Sequence, residues 1–153
     1  MQITRKHPLS HANQRPPGTV IDTVVIHCMY AAEATDRYLT EACIAVLDAL
    51  KLSAHYFIAR DGGVTLAVEE AQRAWHAGVS TMPYPDDARA NVNDFSIGIE
   101  LIGAPEEGFT EAQYHSLTQL LEAIISRHPI TAIVGHHHIA PTRKIDPGPL
   151  FEW

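Results

Sequence analysis

The stretch VIDTVVIHC, residues 20–28, is rich in β-branched residues and predicts a buried strand. SIGIELIG (96–103) and TAIVGH (131–136) predict two more strands of the same apolar kind. HYFIAR, DGG and VTLAV follow one another over residues 55–68 and predict a β-hairpin, because Asp-Gly is a strong turn signal between β-prone runs. The chain therefore contains several predicted strands that can pair in one sheet.

Two helices separate these strands. Apolar side chains at helical spacing predict an amphipathic helix over residues 36–51. A second helix begins at Thr110, where Gln113 completes a capping-box pattern, and it ends at His128-Pro129. The order βαββ…βαβ predicts an α/β fold with a single mixed central β-sheet flanked by helices.

Two other segments carry little periodicity. Residues 1–18 are polar, end in Pro-Pro-Gly and predict an N-terminal arm, which leaves residues 19–153 as one domain. Residues 69–94 predict a long loop, and a loop of this length in a compact domain is usually functional.

The composition argues against some classes of function. A formal net charge of −7 disfavours a nucleic-acid or anionic-membrane partner, because phosphate groups bind basic surfaces. No stretch reaches the roughly 18 consecutive apolar residues of a membrane span. The N-terminal residues lack the apolar core of a secretory signal, which predicts a cytoplasmic protein, although a chain whose leader had been removed would look the same. A monomer is the favoured oligomeric state.

Three residues have the chemistry of a metal site. His27 lies at the end of one apolar strand, His136 ends another, and Asp146 follows ten positions later. Two imidazoles and one carboxylate leave a coordination position open for water, as in catalytic zinc sites. Ordinary explanations also exist: a core histidine, a solvated histidine run and an Asp-Pro-Gly turn. In an extended segment, at most two of the three consecutive histidines can point inward.

Two more polar residues stand near this set. Glu100 lies inside an apolar strand, where a carboxylate is costly to bury unless it is paired or functional, and it can serve as a general base beside a metal-bound water. Lys144 stands two residues before Asp146 and can stabilise negative charge on a tetrahedral intermediate. The alternatives are a glutamate on the solvent face of the strand and a surface lysine.

Five segments together resemble the zinc-dependent N-acetylmuramoyl-L-alanine amidases, a family that also includes phage lysozyme-like amidases and peptidoglycan-recognition proteins. The matching segments occur in the family order: VVIHC (24–28), SAHYFIARDG (53–62), RAWHAG (73–78), NDFSIGIELIG (93–103) and GHHHIAPTRKIDPGP (135–149). The resemblance implies the fold of that family, with residues 19–153 as the catalytic domain.

The resemblance also implies roles for single residues. It assigns the zinc ligands to His27, His136 and Asp146, the catalytic acid and base to Glu100, and stabilisation of the oxyanion to Lys144. It implies a substrate cleft at Trp75 and His76, to which we add His55 of the hairpin as a substrate-binding residue. His137 and His138 are expected at the surface or next to the metal ligands.

The implied reaction is hydrolysis of the amide bond between the lactyl group of N-acetylmuramic acid and L-alanine. The motif IAPTRKIDPGP is similar to that of cytoplasmic amidases that act on 1,6-anhydro-muropeptides, which implies soluble muropeptides as partners in cell-wall recycling. Two alternatives stay open. One is a lytic amidase, an endolysin or toxin, that acts on intact peptidoglycan; the other is a non-catalytic peptidoglycan-binding module.

Overall fold

A computed structural model describes residues 2–5 and 9–153, and in this part of the chain eight strands form two sheets. The strands are β1 (Ile3–Arg5), β2 (Ala12–Gln14), β3 (Thr23–Met29), β4 (Tyr56–Ile58), β5 (Val64–Leu66), β6 (Gln72–Ala74), β7 (Ser96–Ile102) and β8 (Ala132–Gly135). The main sheet has the order β1-β5-β4-β7-β3-β8, and β2 pairs with β6. Only β4 and β5 are antiparallel within the main sheet, which is therefore mixed as predicted.

Within residues 2–5 and 9–153, three α-helices accompany the strands: α1 (Thr40–Ala49), α2 (Glu111–Arg127) and α3 (His136–Ile139). The capping box predicted at the start of α2 is confirmed, because the Thr110 hydroxyl accepts from the Gln113 backbone N–H and the Gln113 side chain accepts from the Thr110 N–H. The first helix is shorter than predicted: residues 36–39 form a turn, and α1 begins at Thr40. None of the helices in the described residues is long and apolar enough to cross a membrane.

The two faces of the main sheet bury different residues of the same strands. Val24 and Ile26 of β3 pack on the face covered by α2, whereas Val25 and His27 point to the opposite face. That opposite face is covered by α1 and by the segment between β6 and β7. Both faces of the central strands are therefore buried, and the polar side chains of β3 and β7 project into the second layer.

Residues 1–18, predicted to be an arm or loop, contain two strands, so that prediction was wrong for β1 and β2. Each strand is three residues long and mostly exposed, and it therefore lacks the apolar alternation that reveals a strand in a sequence. Positions 1 and 6–8 of this segment lie outside the described residues, and the division into an arm and a catalytic domain stays a prediction.

Two further expectations need correction. The loop predicted over residues 69–94 contains β6 and a 3₁₀ turn at Val92–Asp94, which fix its two ends. The consecutive histidines are not extended, because α3 begins at His136. Successive side chains of a helix diverge by about 100°, so the His136 ring is buried while His138 lies at the surface.

Candidate active site

The three expected metal ligands meet at the carboxyl ends of β3 and β8. His27 lies near the end of β3, and His136 is the first residue after β8, which pairs with β3 in parallel. Asp146 lies in the segment after α3. The backbone N–H and the ring Nδ1 of His137 both contact the Asp146 carbonyl, at 3.0 and 3.1 Å. His137 therefore holds the backbone of Asp146 in place beside the two strands.

The ligand atoms of these three residues form a small triangle. The Nδ1 atoms of His27 and His136 are 2.9 Å apart, and Oδ2 of Asp146 lies 3.1 Å from each of them. Both rings are almost fully buried. Three atoms bound to one tetrahedral ion at about 2.0–2.2 Å lie roughly 3.3 Å from one another. The spacing and the donor set therefore fit a single metal ion.

The outer nitrogen of His136 defines the protonation of its ring. Nε2 lies 3.1 Å from the carbonyl oxygen of Ala77, which can only accept, so Nε2–H donates and Nδ1 keeps its lone pair for the triangle. The Arg143 guanidinium donates to the same carbonyl at 2.7 Å and to the carbonyl of Val79 at 2.8 Å. This geometry directs one ligand lone pair into the site.

The electrostatics of the triangle match ligands that are ready to bind a cation. Burial lowers the pKa of His27 to about 4, against the opposing effect of the neighbouring Asp146 carboxylate. Burial acts to raise the pKa of Asp146, but its contacts with the His136 and His27 rings hold the pKa well below its usual range. A neutral imidazole and an ionised carboxylate are the forms that coordinate metals.

Glu100 lies beside the triangle. It pairs in register with His27 across β3 and β7, and it is only 6% exposed, so the alternative of a solvent-facing glutamate is excluded. In the described part of the chain, its Oε2 atom is buried without a hydrogen-bond partner. Burial and the charge of Asp146 raise the pKa of Glu100 to about 8, while the charge of Lys144 acts in the opposite direction. A buried carboxyl in a cleft with a pKa raised in this way is a candidate for proton transfer.

A cavity of about 450 Å³ opens over these groups. Lys144 lines it together with Glu100 and the three candidate ligands. Most of its other lining residues are apolar, among them Met29, Val46, Leu47, Leu50, Leu52 and the aromatic rings of Tyr30 and Trp75. A cleft that combines an apolar lining with a few convergent polar groups is typical of a small-molecule site.

The residues predicted to bind substrate have different positions. Trp75 lines the cavity, and its indole N–H donates to the side-chain oxygen of Asn13 in β2 at 2.9 Å. His76 also lines the cavity, but its ring is largely buried, and its Nδ1 atom lies 2.9 Å from Nε2 of His27. His76 therefore contacts a candidate metal ligand directly.

The prediction that His55 contacts substrate is corrected. Its ring is fully buried and lies outside the cavity lining. Nδ1 accepts from the Gly98 N–H at 3.0 Å, and Nε2 lies 3.1 Å from the Gln72 carbonyl. Burial, together with the charge of Arg15, lowers the pKa of His55 to about 3. The ring connects β7 to the first residue of β6 and has a structural role.

Sequence reasoning missed the residues that support His76. The side-chain oxygen of Asn93 accepts the backbone N–H groups of both His76 and Ala77, at 3.1 and 2.8 Å. A Cβ atom on Gly98 would lie 2.5 Å from Cγ of His76. Gly98 and Asn93 lie inside a matching segment, but no local pattern indicates that either residue contacts His76.

The family model described as N-acetylmuramoyl-L-alanine amidase matches residues 16–149. The chain is 48% identical over 106 residues to 1,6-anhydro-N-acetylmuramyl-L-alanine amidase AmpD of Citrobacter freundii, an alignment covering 68% of this chain and 54% of the relative. It thus spans about half the length of the curated relatives that it matches.

Solved structures agree with this match. A crystal structure of an AmpD derivative superposes with a TM-score of 0.84 at 36% identity, over 99% of this chain and 90% of that one. AmiD of E. coli, solved with anhydro-N-acetylmuramic acid-L-Ala-D-γ-Glu-L-Lys, gives a TM-score of 0.72 at 31% identity, over 92% of this chain and 58% of that one. The five motifs, the mixed sheet and these matches lead to one conclusion: the chain belongs to the N-acetylmuramoyl-L-alanine amidase family.

Proposed function

We propose that this protein is a zinc-dependent amidase that hydrolyses the bond between the lactyl group of anhydro-N-acetylmuramic acid and L-alanine in soluble muropeptides. The observation that carries the proposal is the Glu100 carboxyl, whose buried Oε2 atom has no partner among the described residues, in the same cavity as the His27, His136 and Asp146 triangle. A binding module has no need for a buried carboxyl that lacks a partner, since its desolvation is costly.

Zinc is the proposed metal because two neutral imidazoles and one carboxylate, with space for water, are the ligand set of catalytic zinc sites. Held there, the ion would supply Lewis-acid polarisation of the substrate carbonyl and would make a nearby water acidic enough to attack at neutral pH. The His136 ring, oriented by Ala77, and the ionised Asp146 would hold it.

Glu100 would move the proton. As a carboxylate it accepts a proton from the attacking water while the water oxygen bonds to the amide carbon. It then donates that proton to the amino group of L-alanine as the carbon–nitrogen bond breaks. The charge of Lys144 favours the carboxylate form over the neutral form that burial and the charge of Asp146 favour, and a cation held by the triangle would act in the same direction as Lys144.

Lys144 would stabilise the oxygen that becomes negative when water adds to the amide carbonyl. Its ammonium group shares the cavity with Glu100, and it has no acid partner among the ion pairs of the described residues. A preorganised cation at the developing charge is worth more in a partly dehydrated cleft than in water.

The cavity and the relatives support a soluble fragment as the substrate. The apolar lining around Trp75 offers a surface for a sugar ring, and the convergent polar groups can act on the amide. AmpD is named for 1,6-anhydro-N-acetylmuramyl-L-alanine, and AmiD has been solved with an anhydro-muropeptide. A role in cell-wall recycling follows from such a substrate.

The proposal is tested by supplying two substrates separately to the zinc-loaded protein. We expect peptide release from an anhydro-N-acetylmuramyl tripeptide, loss of that activity on chelation and its return on addition of zinc. Glu100→Gln is the matched control, since it should bind zinc without cleaving.

Release of peptide from intact sacculi instead would make the protein a lytic amidase. Zinc binding with no cleavage of either substrate would indicate a peptidoglycan-binding module. Activity that is unchanged after complete removal of metal would refute the zinc mechanism.

A further inference from the structure

His27 is backed by a second histidine ring from a different part of the chain. Nε2 of His27 and Nδ1 of His76 are 2.9 Å apart, and the two rings meet edge to face with centroids 5.0 Å apart. A hydrogen bond between two neutral imidazoles can run in either direction. Its direction matters because it decides whether Nδ1 of His27 keeps the lone pair that a metal needs.

A chain of hydrogen bonds fixes this direction. The Ser96 hydroxyl donates to the carbonyl oxygen of Val92 at 2.6 Å, and a carbonyl can only accept. The single hydroxyl proton is thereby used, so Ser96 Oγ accepts from Nε2 of His76, which lies 3.3 Å away. With its proton on Nε2, His76 presents a bare Nδ1 to His27.

The tautomer of His76 in turn determines the tautomer of His27 in the ligand triangle. Nε2–H of His27 must donate to Nδ1 of His76, which leaves the lone pair of His27 Nδ1 directed toward His136 and Asp146. His136 has the same tautomer because its Nε2–H donates to the carbonyl oxygen of Ala77. Both candidate ligands therefore present Nδ1, and each is oriented from behind.

The position of His76 is itself held by two contacts. Asn93 accepts the backbone N–H of His76 and that of Ala77, so one side chain anchors the supports of both ligand histidines. Gly98 leaves room for the ring, since a Cβ there would approach Cγ of His76 to 2.5 Å. These contacts keep the ring between His27 and Ser96, with one nitrogen toward each.

We propose that His76 is a positioning residue of the metal centre, which holds His27 in its Nδ1-coordinating tautomer through the chain Val92–Ser96–His76–His27. This inference rests on the proposed function, because it requires that the triangle binds zinc. It assigns His76 a role other than substrate contact. Outer partners of this kind typically change metal affinity about 10–100-fold when they are removed.

The test measures zinc affinity by competition with a chromophoric chelator, and the absorption spectrum of the cobalt-substituted protein as a signature of ligand geometry. His76→Leu removes the acceptor and keeps a buried apolar side chain. His76→Asn keeps an acceptor oxygen near the place of Nδ1. We expect His76→Leu to bind zinc about 10–100-fold more weakly with an altered cobalt spectrum, and His76→Asn to stay within about threefold of wild type.

Gln113→Leu is the matched control. This buried side chain of α2 donates to the carbonyls of Ile58 and Ile102 on the other face of the sheet, so its loss weakens the fold without touching the site. Its zinc affinity should be unchanged. Should His76→Leu fail to fold, Ser96→Ala takes its place, with an expected loss of about two- to tenfold because the tautomer of His76 is no longer fixed.

Wild-type affinity in the folded His76→Leu protein, or equal losses in the Leu and Asn variants, would overturn the positioning role alone. Unchanged affinity in Ser96→Ala would do the same where that variant replaces His76→Leu. Absence of zinc binding by the wild-type protein would overturn the proposed function together with this inference, so the two failures are distinguishable.

Discussion

His27 and Glu100 are register partners in neighbouring parallel strands, and their side chains project from the same face of the sheet. A slip of one residue between β3 and β7 would turn one of these side chains to the α2 face. The pairing therefore brings a candidate metal ligand and a buried carboxyl into one cavity. It is the relationship on which the catalytic predictions depend.

Glu100→Gln should lower turnover by about 10²–10⁴-fold, the usual contribution of a general acid–base group. The amide cannot accept the proton of the attacking water, whereas the ligand triangle is untouched. Steady-state hydrolysis of an anhydro-muropeptide and zinc content measured on the same sample provide the check. Glu122→Gln, an exposed change on α2, is the control and should be silent. Wild-type turnover in Glu100→Gln would show that the Glu100 carboxyl takes no part in proton transfer.

Lys144→Met should reduce kcat by about 10–10³-fold with a smaller effect on KM, because the lost charge acts mainly on the oxyanion of the transition state. Lys144→Arg keeps the positive charge and should recover part of the rate. The two variants are compared by full Michaelis–Menten analysis. A change confined to KM in Lys144→Met would make this lysine a substrate-binding group instead.

Trp75→Leu should raise KM about 2–13-fold with little change in kcat, since an aromatic contact contributes about 0.5–1.5 kcal/mol of binding. Trp75 lines the cavity and is tethered to Asn13. Trp153→Leu is a suitable control, because Trp153 is 62% exposed and lies outside the cavity lining. Equal KM values for Trp75→Leu and wild type would show that the substrate does not contact Trp75.

Gly98→Ala should both destabilise the protein and weaken zinc binding. The added Cβ would lie 2.5 Å from the ring of His76, which has to move. Overpacking of this kind costs about 1–3 kcal/mol, and urea unfolding of the metal-free protein measures it. Gly63→Ala is the control, since its Cβ would meet the flexible side chain of Asp61 at 3.1 Å and the Cβ of Ala59 at an ordinary contact distance of 3.9 Å. Unaltered zinc affinity in Gly98→Ala would show that Gly98 does not influence the metal site through His76.

Glu70 should make stability depend on pH in the acid range. Burial acts to raise its pKa, but hydrogen bonds from Arg127, Tyr56 and His128 outweigh burial and lower the pKa to about 2 from 4.5. A pKa depressed in the folded state means that the stabilisation is complete above pH 4.5 and is lost as pH falls toward 2.

Glu70→Gln should therefore lower the free energy of unfolding by about 1.5–3 kcal/mol near pH 6, the range for hydrogen bonds to charged groups. The difference from wild type should shrink between pH 4.5 and 2, as followed by urea unfolding at several pH values. Glu69→Gln is the neighbouring control, with an ion pair to Arg5 that is well exposed. A difference independent of pH would contradict the assignment.

Local signals in the sequence predicted most of the secondary structure. The capping box at Thr110 and the Asp-Gly turn of the hairpin act over a few residues, so their effect is visible without tertiary structure. The short strands of residues 1–18 were missed because they are held by pairing with β5 and β6, which lie more than 50 residues away in the chain. Their own composition carries no strand signal.

For the site, the sequence by itself determined which side chains have the chemistry of a metal centre and, through the resemblance, named His27, His136, Asp146, Glu100 and Lys144 together. Only the tertiary structure decided that His55 is buried away from the cleft and that His76 stands behind His27. The physical reason is the distance along the chain over which each property is determined. Residue type and periodicity are local properties, whereas burial, strand register and the direction of a hydrogen bond depend on segments that meet only in the folded chain.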